Sequence, residues 1–328
     1  MNKRVATRLL GRGNAVPAAL LLAIVGAGGG CTQDFPPFNR LDSLRVLGIQ
    51  AEPAAPLTGE TTTLTPLIYT PGDAAALTYQ WSWCPAPGPA EQGYRCLITE
   101  EQLSAALGGG GMLPPFDLGT NPTATLQNAL PPEALAAICG GLVPGVPSPN
   151  CAGGYPIQVR LDVTNESETV QSVVTVKMRF DGASQAANAN PSIKGITAVL
   201  KGGDSLPVPE MLTGNDVTLP RKGATRLFVD VPPEDSETYA GLDETGQPKS
   251  DLRERMFITW FVETGGTDDP RTSYIPDRTP LEDMLKNTWS PAESRLYAGN
   301  TARLYVVIHD SRGGIGWRSG IVQLEPTP

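Results

Sequence analysis

Alternation with a period of two is the feature that most narrows the folds open to this chain. Ile157, Val159, Leu161 and Val163 are interleaved with Gln158, Arg160 and Asp162, and Val174, Val176, Met178 and Phe180 with Thr175, Lys177 and Arg179. Successive side chains of a strand point to opposite faces, so such runs read as strands with one face packed and the other wet, as in antiparallel sheets. Thr62, Leu64 and Ile68 make another face, and Leu77, Tyr79, Trp81 and Trp83 an unusually aromatic one. Pro71-Gly72-Asp73 and Asn165-Glu166-Ser167 supply turn chemistry between runs. An all-β fold is expected.

The order of these runs occurs twice. Ser192–Leu200 parallels Ser43–Gln50, Thr225–Val231 is a second strand, and Met256–Val262 carries Trp260 where the first half has Trp81 or Trp83. Leu304, Val306 and Ile308 parallel Val159, Leu161 and Val163, and Val322 and Leu324 close the chain. The break falls in Ala183–Pro191, a small polar stretch without apolar periodicity. Sandwiches are therefore expected at 42–182 and 192–328, joined by a linker at 183–191. A single elongated β-domain is the alternative. Gly59–Leu64, Leu77–Trp81 and the hairpin residues His309–Gly314 resemble those of bacterial Ig-like or PKD-like domains. The resemblance implies two tandem Ig-like antiparallel β-sandwiches with short helices in long insertions.

The first insertion spans residues 85–154, and 23 of its 70 residues are Gly or Pro. No ordinary strand connection is that long. Thr99-Glu100-Glu101-Gln102 fits a capping box before Leu103–Leu107, stopped by Gly108–Gly111. Pro131-Pro132 precedes a second helix at Glu133–Ile138, stopped by Gly140-Gly141. Cys84, Cys96, Cys139 and Cys151 bracket the segment as two pairs, each 12 positions apart. Four cysteines allow three connectivities. Local closure favours Cys84–Cys96 and Cys139–Cys151. A four-thiolate zinc site is the rival, although the CxxC spacing usual for zinc is missing. The second half has its own insertion, 264–300, with a capping box at Thr279-Pro280-Leu281-Glu282. Both insertions leave from the end of a third strand and are expected at the same end of their sandwiches.

Residues 1–14 carry Lys3, Arg4, Arg8 and Arg12 and no acid, and the apolar run Ala15–Ala27 is only 13 residues long. A spanning helix needs about 20 apolar residues, so residues 1–30 read as a secretory signal. Gly28-Gly29-Gly30-Cys31 resembles the lipobox of bacterial lipoproteins, with Gly28 standing where that family usually has an aliphatic residue. The resemblance implies acylation of Cys31, a lipidated tether over 31–41, and membrane lipid as the first partner. With Cys31 assigned, the odd count of five cysteines leaves four. Thr32 rather than Asp follows Cys31, which in that family points to the outer membrane, on its periplasmic face or at the cell surface.

Loss of the signal leaves 21 basic against 34 acidic residues, a formal charge of −13, which makes nucleic acid a poor partner. The one histidine, His309, excludes two-histidine metal sites, and no GxSxG, HExxH or P-loop is present. Eight acids fall in residues 230–254, but their spacing fits no EF-hand, so a solvated acidic loop is the simpler reading. No catalytic residue, cofactor or metal is expected. The expected role is a non-enzymatic interaction or scaffold module of the cell envelope. A surface adhesin for carbohydrate or matrix, and an enzyme of unfamiliar type, are the alternatives. Tyr94 and Trp289, aromatic residues inside the insertions, are the candidate contacts to an envelope protein or glycan.

Overall fold

The computed structural model describes residues 38–326, apart from 72–75, 89–90, 92, 107–112, 142–148, 211–216, 244 and 292–299. The signal segment, Cys31, most of the 31–41 tether, Gly72, Asp73 and the glycine run 108–111 lie outside the described residues. Residues 37–328 form one compact unit. It is all-β and Ig-like, built from two sandwiches.

The first sandwich contains β1 (Arg45–Glu52), β2 (Thr61–Tyr69), β3 (Thr78–Cys84), β4 (Asp117–Gly119), β5 (Ala124–Gln127), β6 (Tyr155–Thr164) and β7 (Thr169–Met178). One sheet has the order β1-β2-β5 and the other β4-β3-β6-β7. The β6–β7 hairpin closes where Asn165 Oδ1 accepts from the backbone N–H groups of Ser167 (2.9 Å) and Glu168 (2.9 Å), a side-chain mimic of a backbone turn. Trp81 lies opposite Leu161 and is fully buried, its indole N–H donating to Asn121 O at 2.9 Å. Trp83 donates to Pro115 O at 2.8 Å, so both tryptophans fill the core without stranding a polar atom.

Segment 85–154 differs from a simple insertion, because it contributes β4 and β5 to the two sheets. Strands of three and four residues are too short to declare themselves by alternation. Its helices are α1 (Glu100–Ala106) and α2 (Pro132–Cys139). Thr99 N donates to Gln102 Oε1 (2.9 Å) and Gln102 N to Thr99 Oγ1 (3.2 Å), a reciprocal capping box. Disulfides join Cys84 to Cys96 and Cys139 to Cys151, with Cα atoms 5.5 and 5.7 Å apart.

The second sandwich begins with β8 (Gly195–Val199), β9 (Ser205–Pro207), β10 (Thr218–Leu219) and β11 (Thr225–Asp230). A hairpin follows, β12 (Thr238–Leu242) and β13 (Pro248–Arg253). The rest is β14 (Met256–Val262), β15 (Gly266–Thr267), β16 (Arg271–Tyr274), α3 (Leu281–Met284), β17 (Lys286–Ser290), β18 (Thr301–Asp310) and β19 (Ile315–Leu324). Its sheets run β10-β19-β18-β14-β16 and β15-β17-β11-β8-β9. Within them, β8-β11-β17 against β16-β14-β18-β19 repeats the seven-strand order of the first sandwich. Trp260 lies opposite Val306 as Trp81 lies opposite Leu161.

The 264–300 segment is corrected in the same way, since it supplies β15, β16 and β17 to the sheets. Trp289, expected at a ligand surface, sits in β17 at 0% exposure, and its indole N–H donates to Thr264 O at 2.9 Å. Burial of so large an apolar ring outweighs any surface role. Thr279 does not cap α3; Pro280 holds the cap position and Thr279 Oγ1 accepts from Ile275 N at 2.7 Å.

The two sandwiches share a third apolar cluster. On β18, Leu304, Val306 and Ile308 enter the second core, while Tyr305 and Val307 point the other way and meet Leu41, Leu47 and Tyr69, with Ile315 of β19. A bulge in β1 between Val46 and Gly48 turns Leu47 out of the first core and toward this cluster. Gly48 lets the backbone close on β19, for a Cβ there would stand 2.6 Å from Ile315 Cδ1. Arg303 extends the contact: its Nε is 2.9 Å from Glu263 Oε1, its Nη2 donates to Thr70 O at 3.2 Å, and its guanidinium lies 5.1 Å over the Tyr69 ring. Residues 39–41 belong to this body rather than to a free tether. Val262 N donates to Asn39 O (3.1 Å), Leu41 N to Val262 O (3.0 Å), and Asn39 Nδ2 to Trp260 O (2.9 Å).

Candidate functional site

The β18–β19 hairpin and the 183–191 segment meet at the junction of the two sandwiches. Asp310 Oδ1 accepts from the N–H groups of Arg312 (2.7 Å), Gly313 (2.7 Å) and Gly314 (2.8 Å), which folds Asp-Ser-Arg-Gly-Gly into a tight turn. Gly313 has φ of 108° and occupies a conformation costly for other residues. Asp310 Oδ2 accepts from Asn188 Nδ2 at 2.9 Å. Asn190 donates to Ala51 O (2.7 Å) and Glu52 Oε2 (2.7 Å), and accepts from Ile315 N (3.0 Å). The expected linker thus stitches β1 to β19.

That turn presents Arg312 to the base of the β12–β13 hairpin. Its guanidinium pairs with Glu254 and Glu237, donates to Ala186 O at 3.1 Å and lies 5.1 Å over the Tyr239 ring. Glu254 is 0% exposed. Burial, then the neighbouring Asp310 charge, pushes its carboxyl up to about 7, against the opposing pull of Arg312. His309 stacks on Phe257 with centroids 4.7 Å apart. Burial, then the Arg271 charge, pushes its imidazole down to about 4.

The hairpin stands between two clefts. One, of about 920 Å³, separates it from residues 274–278, where Asp277 holds φ of 64°. The other, of about 720 Å³, separates it from β7 and residues 184–185. Leu242, near the hairpin tip, is 67% exposed. Most acids of residues 230–254 are distributed along this hairpin and its base. Among the described residues no three His, Cys, Asp or Glu side chains come together as metal ligands.

The expected contact residues do not converge. Tyr94 is 38% exposed, with φ of 54°, in the loop closed by Cys84–Cys96, and Leu97, just past that loop, is 56% exposed. Trp289 is in the second core, and Cys31 is outside the described residues. Lys177, which the alternation reads as solvent-facing, lines the second cleft instead, together with Arg312 of the β18–β19 hairpin. Arg312 has a legible signal in the Asp-Ser-Arg-Gly-Gly turn, but nothing local to Lys177 marks it, because its neighbours come from residues 150–153, 184–185 and the second sandwich.

No family model matches the chain, and no curated protein matches its sequence. Among solved structures, a chimeric titin Z1Z2-Z1Z2 tandem is similar over 86% of this chain and 100% of its own, at 7% identity and a TM-score of 0.24. The D00-D0 domain of intimin is similar over 85% and 98%, at 10% identity and a TM-score of 0.20. The N-terminal eight Ig domains of Down Syndrome Cell Adhesion Molecule match over 87% of this chain and 25% of theirs, at 11% identity and a TM-score of 0.20. At such scores the Ig-like assignment rests on strand order and core composition, not on these superpositions.

Proposed function

We propose that this chain is a non-enzymatic interaction module of the bacterial cell envelope, held to the outer membrane by acylated Cys31. One observation carries the reading: two sandwiches are locked together by a shared apolar cluster, and from their junction a hairpin with Leu242 exposed beside its polar turn projects between two clefts. A locked scaffold that offers a protruding loop holds a contact surface ready without an ordering cost. The signal-like N-terminus and Cys31 supply the anchor, since several acyl chains hold a protein stably where one does not.

Two arms test this. Mass spectrometry of the native N-terminus should find Cys31 acylated, and Cys31→Ser should move the protein out of the membrane fraction; an unmodified Cys31 overturns the anchor. A photo-crosslinking residue at Leu242 should give discrete adducts with an envelope component in intact cells, and the same residue at Leu57, on the first sandwich, should not. Equal labelling at both positions, or none at Leu242, overturns the contact surface.

A further inference from the structure

The cleft between β7 and the β12–β13 hairpin has a charge pattern opposite to that of the chain. The whole chain carries 34 acids and 25 bases. Yet the lining of this cleft includes Lys177, Lys249 and Arg312 and, among the described residues, no carboxylate. The remaining polar groups are neutral and point-like: the amides of Asn150 and Gln185, the Tyr239 ring and three serines. Arg312 is neutralised from beneath by Glu254 and Glu237, and Lys249 Nζ lies 3.9 Å from Asp251 Oδ1. Lys177 feels the opposite charge of Asp310 but forms no ion pair among the described residues. It lies along Gly153, with its Nζ 3.3 Å from the point where a Cβ on that glycine would stand and Gln185 Oε1 3.2 Å from the same point. Burial, then the Arg312 charge, lowers its ammonium below the usual lysine range. A half-buried ammonium beside a guanidinium, with no hydrogen bond or ion pair among the described residues, is a position that an anion would stabilise.

The size and the neutral lining narrow the anion. A cleft of about 720 Å³ is far larger than a single phosphate needs and falls in the range of organic ligand sites. Hydroxyls and amides that both donate and accept suit a polyhydroxylated ligand, and the half-buried Tyr239 ring, which carries Arg312 over it, adds apolar surface for the edge of a sugar ring. We infer that this cleft binds an anionic saccharide, its carboxylate or phosphate group against Lys177 and Lys249 and a sugar ring beside Tyr239. The inference rests on the interaction-module reading and gives it a ligand class.

Titration calorimetry of the mature protein with tetragalacturonate, its neutral methyl ester and inorganic phosphate tests it. The expected result is saturable binding of the charged sugar that weakens with added salt. Lys177→Gln and Lys249→Gln should each weaken it at least 10-fold, while Lys201→Gln, an exposed lysine outside the cleft, should leave it unchanged. Lys249 is on an exposed strand, so its variant remains informative if Lys177→Gln proves unstable. Equal binding of the methyl ester, binding of phosphate without the sugar, unchanged affinity in Lys249→Gln, or no heat in any arm overturns the inference. Any of these together with position-specific crosslinking at Leu242 removes the saccharide site and leaves the interaction module standing; loss of both removes the module as well.

Discussion

Two buried titratable side chains near the junction pull stability in opposite directions over the same pH range. Glu254 has its folded pKa raised to about 7, so the folded state holds its proton more tightly than the unfolded chain does. Its contribution is complete below the unfolded value near 4.5 and is lost as pH rises through 7. His309 is the reverse. Its folded pKa near 4 means that the fold excludes the proton, so its contribution is complete above 6.5 and is lost as pH falls through 4. Chemical denaturation between pH 4 and 8 separates them. Relative to wild type, Glu254→Gln should gain stability as pH rises from 4.5 to 7, and His309→Gln should lose it as pH rises from 4 to 6.5. Each slope difference is bounded at about 1.4 kcal/mol per pH unit. Parallel curves for either variant would show that its group is not buried as described. The one histidine of the chain thus acts as a packed ring against Phe257, and its rarity carried no hint of that.

Among elements, β1 shows how a single irregularity joins two sandwiches. Its bulge sends Leu47 outward while Ile49 and Ala51 stay in the first core, and Gly48 takes the closest approach to β19. Gly48→Ala should cost about 1–3 kcal/mol by overpacking against Ile315. Ile315→Val removes the Cδ1 that the new Cβ would meet, so the double variant should be more stable than the sum of the single losses by at least about 0.5 kcal/mol. Strict additivity would mean that the two residues do not touch. The disulfides act elsewhere. Cys139→Ser with Cys151→Ser should lower unfolding free energy by about 3 kcal/mol, measured by denaturant titration against the wild type kept oxidised; an unchanged midpoint would mean that the bridge is absent from the native protein.

The long strands β6, β7 and β14 and both capped segments of 85–154 were legible because they repeat a period over many residues or end in Gly and Pro. The third strand's tryptophans were legible as core for the same reason. Residues 117–127 and 266–290 were not, since strands of two to five residues offer no period to read, and this is why Trp289 looked like a surface residue. One signal in the sequence reaches beyond alternation. Leu304-Tyr305-Val306-Val307-Ile308 is a continuous apolar run, and such a run marks a strand packed on both faces. Alternation accounted for Leu304, Val306 and Ile308, whereas Tyr305 and Val307 already pointed to a cover on the outer face. The candidate cleft was the least legible part, because Lys177, Lys249 and Arg312 are brought together only by the docking of one sandwich on the other.

The whole molecule is therefore better described as one body than as two domains on a linker. The sheet of β14, β18 and β19 has its own core on one face and the first sandwich on the other. Asn39, Asn188 and Asn190 tie the entering chain and the connecting segment to that sheet by hydrogen bonds. The cleft and the projecting hairpin owe their geometry to this docking, so both functional readings depend on it. Differential scanning calorimetry of the oxidised mature protein tests it most directly. The expected result is a single transition with equal calorimetric and van't Hoff enthalpies, split by Tyr305→Arg into two. Two independent transitions in the wild type, at temperatures that Tyr305→Arg leaves unchanged, would contradict it.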